Sequence, residues 1–255
     1  MTSKHPVPAG RLYATESLSD RAYELIRDKI LRGQYPLGTA LSRRQLAKEL
    51  RMSFVPVSEA LQHLELDGLV ESKPRVGTRV RTPTAEEILE RYGLREALET
   101  QAARLCVEHA DERGRQELLK MGHHLDQLYA SSAGADDEFL YSVHKYHMRF
   151  HLRAAEIGGN SLLREAIERE QVLVFNWLFD TAAKQRTLPP RFHSELAAAL
   201  ASPSVEDADR AMRAHIRYGM GRVLEAMDPG RLENGWRVSR KNGARGIAAA
   251  PRRSA

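Results

Sequence analysis

SRRQLAKELRMSFVPVSEALQHLELDGLVESKPRVGTRV, residues 42–80, decides the fold of the front of this chain. Ser42 followed by Gln45 has the spacing of a capping box, in which a side-chain oxygen satisfies an orphan N–H of the first helical turn. Leu46, Ala47 and Leu50 then supply the apolar face of a short helix. A second helix starts after Ser53 as its N-cap, and Pro56 falls in its first turn, where a missing N–H costs little. Val57, Ala60, Leu61 and Leu64 recur at helical spacing as its inward face until Gly68 stops it. Leu69-Val70 and Thr78–Val80 read as two short strands around the basic turn Lys73-Pro74-Arg75-Val76-Gly77.

On the N-terminal side, Ala22, Leu25, Ile26 and Ile30 mark a helix of about four turns that stops at Gly33, ahead of Pro36 and Gly38. Three helices followed by a small β-hairpin make a winged helix-turn-helix over 18–82, behind a flexible stretch 1–17. On the C-terminal side, Pro83 and Thr84 change the regime. From Ala85 to about Ala226 only helical periodicity recurs, in segments of about 84–110, 112–131, 136–156, 160–185, 190–201 and 204–227. The expected fold is therefore mainly α: a winged helix-turn-helix followed by an all-helical bundle over 84–228. Residues 229–255, rich in Gly, Ala, Arg and Ser, bury too little apolar surface to offset the entropy of ordering and are expected to form a disordered basic tail.

Charge follows the same division. Residues 1–82 carry 14 Lys/Arg against 9 Asp/Glu, 83–228 carry 18 against 24, and 229–255 carry 7 against 1, so the net charges are +5, −6 and +6. A basic front on an acidic body suits a nucleic-acid module attached to a differently employed domain. Cys106 is the single cysteine, which rules out an internal disulfide and points to core packing in a reducing compartment. No apolar run approaches the roughly 18 residues that span a bilayer, and Met1–Gly10 has no apolar signal core. A cytoplasmic protein with no membrane partner is expected.

A recognition helix reads base edges with its N-terminal turn while its other face packs on the scaffold. Ser53, Phe54, Val55, Ser58 and Gln62 stand in that place. Arg43 and Arg44 at the start of the preceding helix, and Lys73, Arg75, Arg79 and Arg81 on the wing, are placed for phosphates or a minor groove. Gly77 serves as a turn residue and lets backbone approach DNA. The expected partner is a double-stranded operator.

The stretch Ile30–Gly38, with Leu46-Ala47, Pro56-Val57, Glu59-Ala60-Leu61, Leu64-Glu65, Gly68-Leu69-Val70 and Gly77-Thr78-Arg79-Val80, resembles the winged helix of the GntR transcription factors over about sixty residues. Phe54 and Ser58 stand where that family usually has arginine, which implies an altered or weakened site preference, each bidentate contact being worth about 1–3 kcal/mol.

His147 and His151 are four apart, so a helix projects both from one face, and His144 lies one turn earlier. The body from Leu94 to about Met220 resembles the all-helical FCD effector domain of the FadR-type branch of that family. The resemblance rests on Leu94-Arg95 with Leu98-Glu99, Phe150-His151, Gly159-Asn160, His193, and Ala211-Met212 with His215. Many members of the branch hold a divalent metal with an aspartate and three histidines, and the effector completes the metal's ligands. His151, His193 and His215 fall on the histidine positions, and His147 stands where aspartate is usual. An all-nitrogen set favours zinc, nickel or cobalt over magnesium or calcium, and its affinity should fall as pH drops toward 6.

Arg95 matches an arginine that can face the cavity. A guanidinium beside an incompletely coordinated metal suits a small organic acid, while an ordinary surface pair with Glu99 is the plainer role. Phe175, Trp177 and Phe179 suit packing or dimer contacts, and a homodimer is expected because operators are symmetric.

Three other readings compete. One or more of the histidines can pack in the bundle as a hydrogen-bonded core residue. A metal-free cavity for an acyl ligand would leave polar imidazoles without partners, at a cost of roughly several kcal/mol. A histidine-metal hydrolase needs a general base, yet Met148 follows His147, so the His-Glu-x-x-His pattern is missing, and no enzyme activity is expected.

Overall fold

The computed structural model describes residues 17–132, 135–177 and 188–227. The expected flexible N-terminus up to residue 16, the basic tail and the end of the fourth body segment lie outside the described residues. The chain divides into two compact units, Met1–Lys29 with Gly38–Arg81 and Ile30–Leu37 with Thr82–Ala255. Residues Ile30–Leu37 thus group with the helical body, where the sequence reading kept all of 18–82 together.

The first unit runs α1 (Leu18–Leu31), β1 (Ala40–Leu41), α2 (Arg43–Leu50), α3 (Phe54–Leu66), β2 (Val70–Lys73) and β3 (Gly77–Val80), the last two residues of α1, Ile30 and Leu31, falling in the other unit. Its core is built from Ala22, Ile26, Leu46, Val57, Leu61, Leu64 and Val80, all buried. The wing is an antiparallel sheet of order β1-β3-β2, with Val70 opposite Val80 and Lys73 opposite Gly77. Its third strand, β1, was not expected. Two residues are too few to show alternation, and the strand exists through its partner: Ala40 faces Arg79, and Gly38 N donates to Val80 O at 3.0 Å.

Two caps differ from their sequence signatures. Ser42 accepts from Gln45 N at 3.4 Å, one arm of the box only. Ser53 occupies the N-cap of α3 with extended backbone but makes no side-chain cap bond. Its hydroxyl is exposed instead.

The second unit holds α4 (Ala85–His109), α5 (Glu112–Ala130), α6 (Asp137–Ile157), α7 (Ser161–Trp177), α8 (Phe192–Ala201) and α9 (Val205–Met227). Thr84 and Glu87 form a full capping box at the start of α4, at 2.9 and 3.2 Å, which fixes where the bundle begins. Tyr92, Leu118, Leu125, Phe150, Leu200 and the thiol of Cys106 are buried among the helices. Gly122 brings α5 against α8: a Cβ there would stand 2.5 Å from Ala197 Cβ and 2.7 Å from His193 O, so only glycine permits this approach. Side chains of Phe175, Trp177 and Phe179 lie outside the described residues, and so does their expected packing role. Among the described residues no helix is long and apolar enough to cross a membrane.

Candidate metal centre and nucleic-acid interface

Helix geometry aligns His147 and His151 on one face of α6, and α9 brings His215 to them. The three Nε2 atoms lie 2.9 Å (147 to 151), 3.0 Å (147 to 215) and 3.2 Å (151 to 215) apart. An ion about 2.0–2.1 Å from each imidazole nitrogen separates neighbouring ligands by about 3 Å, so the spacing fits a first-row divalent metal. His147, His151 and His215 form the candidate ligand group among the described residues, and His151 and His215 are buried.

Carboxylates behind the rings fix how they point. His151 Nδ1 lies 2.5 Å from Glu99 Oε2, a close contact without the alignment of a good hydrogen bond, while Glu99 Oε1 accepts from Arg95 Nε at 2.5 Å. Burial raises the Glu99 pKa, but Arg95 and His151 outweigh it and bring the carboxyl down to about 2. An ionised carboxylate can only accept, so Nδ1 of His151 carries the hydrogen and its Nε2 lone pair turns to the cluster. Lone pairs converging at this spacing repel unless a cation or proton lies between them.

His193 arrives from α8 by a different route. Asp126 on α5 accepts from the His193 backbone N (2.9 Å), the Ser194 N (2.9 Å) and the Ser194 hydroxyl (2.5 Å), and lies 3.0 Å from His193 Nδ1. It thereby caps α8, whose own N-cap residue Arg191 makes no side-chain cap bond. The same contact assigns the hydrogen to Nδ1. His193 Nε2 is buried without a hydrogen-bond partner among the described residues. The His193 ring lies 4.8 Å from that of His147 and 5.5 Å from that of His215, so the fourth imidazole borders the trio. Tyr129 stacks on His193 at 4.9 Å, and its hydroxyl is 3.3 Å from His147 Nδ1. His144, also buried, meets Tyr129 edge-on and stands outside the ligand group.

Burial and neighbouring charges favour the neutral form of His147, His193 and His215. Burial, then the neighbouring histidines and Arg95, depress His147 and His215 well below the ordinary 6.5. Burial brings His193 down to about 4 against the opposing pull of Asp126. These three rings therefore take up few protons at pH 6. Arg95 is 4 % exposed and Glu99 1 %, so their pair is a buried one, not the surface pair that spacing alone suggests. Asp126 and Tyr129 carry no local sequence signal for these roles, because both meet their histidines through tertiary packing.

In the winged helix, Ser53, Phe54, Val55 and Gln62 are exposed, Arg44 is exposed and Arg43 half-buried. Ser58 donates its hydroxyl to Phe54 O at 2.9 Å, so its hydrogen is turned back on its own helix. Lys73, Arg75 and Gly77 are exposed in the wing turn, where Arg75 (φ 65°) and Gly77 (φ 103°) adopt the left-handed backbone. Arg79 pairs across the strands with Glu71 at 2.5 Å.

Two family models match the chain. Residues 18–80 match the family model of bacterial regulatory proteins, gntR family, and residues 90–218 match the FCD domain. The HTH-type transcriptional regulator YdhC of Bacillus subtilis (strain 168) is 25% identical over 215 residues, 82% of this chain and 92% of that protein. The HTH-type transcriptional repressor GlaR of Escherichia coli (strain K12) is 24% identical over 211 residues, 80% of this chain and 95% of that protein. A solved structure from Rhodococcus sp. RHA1, assigned as a GntR transcriptional regulator, has 27% identity and a TM-score of 0.64, covering 82% of this chain and 98% of its own.

Proposed function

The chain belongs to the GntR family of bacterial regulatory proteins and carries an FCD domain, and on that footing we propose that it is a metal-dependent sensor that changes its hold on an operator when a small organic acid binds. The observation that supports this most strongly is the convergence of three Nε2 atoms within 3.2 Å, with Glu99 and Asp126 behind His151 and His193. His147, His151 and His215 hold the ion, and His193 supplies the fourth imidazole. A nitrogen set selects zinc, with nickel or cobalt as alternates.

Arg95 lends positive charge to the site, since it opposes protonation of His147 and His215. Its Nε is taken by Glu99, and the terminal nitrogens of its fork are the proposed partners of the effector carboxylate, whose other oxygen meets the ion. Bound by these histidines, a divalent metal would supply a Lewis-acid anchor for that anion. Arg43, Arg44, Lys73, Arg75 and Arg79 contact phosphates, Gly77 lets the wing backbone approach, and Ser53, Phe54, Val55 and Ser58 face the groove. A homodimer matches two half-sites.

Metal content per chain, measured by mass spectrometry after zinc loading and dialysis, tests the reading. About one ion per chain, lost in a His151→Ala, His193→Ala variant, is expected. Retention of the ion by that variant, or no ion in either protein, overturns it.

A further inference from the structure

Helix α3, the recognition helix of the winged unit, reads FVPVSEALQHLEL and holds neither lysine nor arginine, while Glu59 and Glu65 make it acidic. Its first turn is the part that enters a major groove. There Phe54 is 57% and Val55 62% exposed, Pro56 has no N–H, and the Ser58 hydroxyl is committed to Phe54 O. That turn offers no cationic fork for guanine O6 and N7, the commonest specific contact in a major groove.

It offers apolar surface instead. The apolar feature of the major groove is the 5-methyl group of thymine, which alkyl and phenyl side chains contact. Cations flank the helix, Arg43 and Arg44 on α2 and Lys73 and Arg75 on the wing, so the phosphates have partners outside α3. Resting on the DNA-binding reading above, we infer that Phe54 and Val55 read thymine 5-methyl groups, and that each operator half-site carries T·A pairs where α3 meets it.

Selection of duplexes from a random library by the full-length protein identifies a site. Fluorescence anisotropy then measures affinity for that site with deoxyuridine replacing thymidine one position at a time, for the wild type, Phe54→Ala and Phe54→Arg. Thymine is expected in each half-site at the positions α3 meets, and removal of one or two methyl groups there should weaken binding about three- to fourfold each. Phe54→Ala should lose a similar factor and become insensitive to uridine at the position it contacts, while Phe54→Arg should shift the preference there to guanine. Because Phe54 is exposed, these variants keep the fold, which far-ultraviolet circular dichroism checks. A selected site with G·C at the contacted positions, or affinity indifferent to methyl removal, overturns the inference and leaves DNA binding standing. Failure to enrich any duplex overturns both.

Discussion

Replacing Glu99 with glutamine keeps its shape and removes its charge from a site where that charge has two partners. The wild-type carboxylate is 1 % exposed, with Arg95 Nε and His151 Nδ1 each 2.5 Å away. Two routes give the cost. The fall of its pKa from the ordinary 4.5 to about 2, with each pKa unit worth about 1.4 kcal/mol, corresponds to about 3 kcal/mol. Removing one member of a buried ion pair, which strands the Arg95 guanidinium, costs about 3–5 kcal/mol. Urea unfolding of the metal-free full-length chain, followed by tryptophan fluorescence, measures it. The far-ultraviolet circular dichroism signal is dominated by the helices α4 to α9, so recorded beside the fluorescence it reports on the domain that contains the pair. The folded pKa lies below the unfolded one, so the stabilisation is complete above about pH 4.5 and disappears as pH falls toward 2. Glu99→Gln should therefore lose about 3 kcal/mol at pH 7, with a gap to wild type that narrows in acid. A loss below about 1 kcal/mol, the range of solvent-exposed ion pairs in general, would refute the argument that this charge is buried and doubly engaged.

Further predictions follow from the same geometry. Chelator-competition titrations should find zinc affinity nearly constant from pH 8 to 6 and falling toward about 4, because His147, His193 and His215 resist protonation in the fold; steep weakening already between 7 and 6 would count against it. In the metal-free protein these depressed values also imply stability that is full above about pH 6.5 and declines as acid protonates the unfolded chain first. Asp126→Ala should weaken zinc binding about 10–100-fold by releasing the His193 ring, and cost about 1–2 kcal/mol through the lost cap of α8. Unchanged affinity would separate Asp126 from the site. Gly122→Ala should destabilise by about 1–3 kcal/mol in thermal or urea melts, since its Cβ meets backbone at 2.7 Å. Gly221→Ala, with nothing within 4 Å, should instead gain up to about 1 kcal/mol of helix propensity.

The sequence by itself determined what depends on neighbours along the chain. Helical spacing in Val57, Ala60, Leu61 and Leu64, the stop at Gly68 and the basic turn around Arg75 specify the winged helix, because periodicity and turn chemistry act over a few residues. His147 and His151 share a face of α6 for the same reason, and the Arg95–Glu99 pair follows from its spacing of four. Spacing could not say that the pair is buried, or that it orients His151. Only the tertiary structure decided that Asp126, 67 positions before His193, caps α8 and turns that ring, and that Gly122 lets α5 come close enough for it to do so. It likewise created β1, two residues that form a strand only because β3 lies beside them. Tertiary packing also lowered the pKa of His147 and His215: an imidazole's pKa depends on burial and on charges brought from other helices, and neither is encoded at the histidine itself.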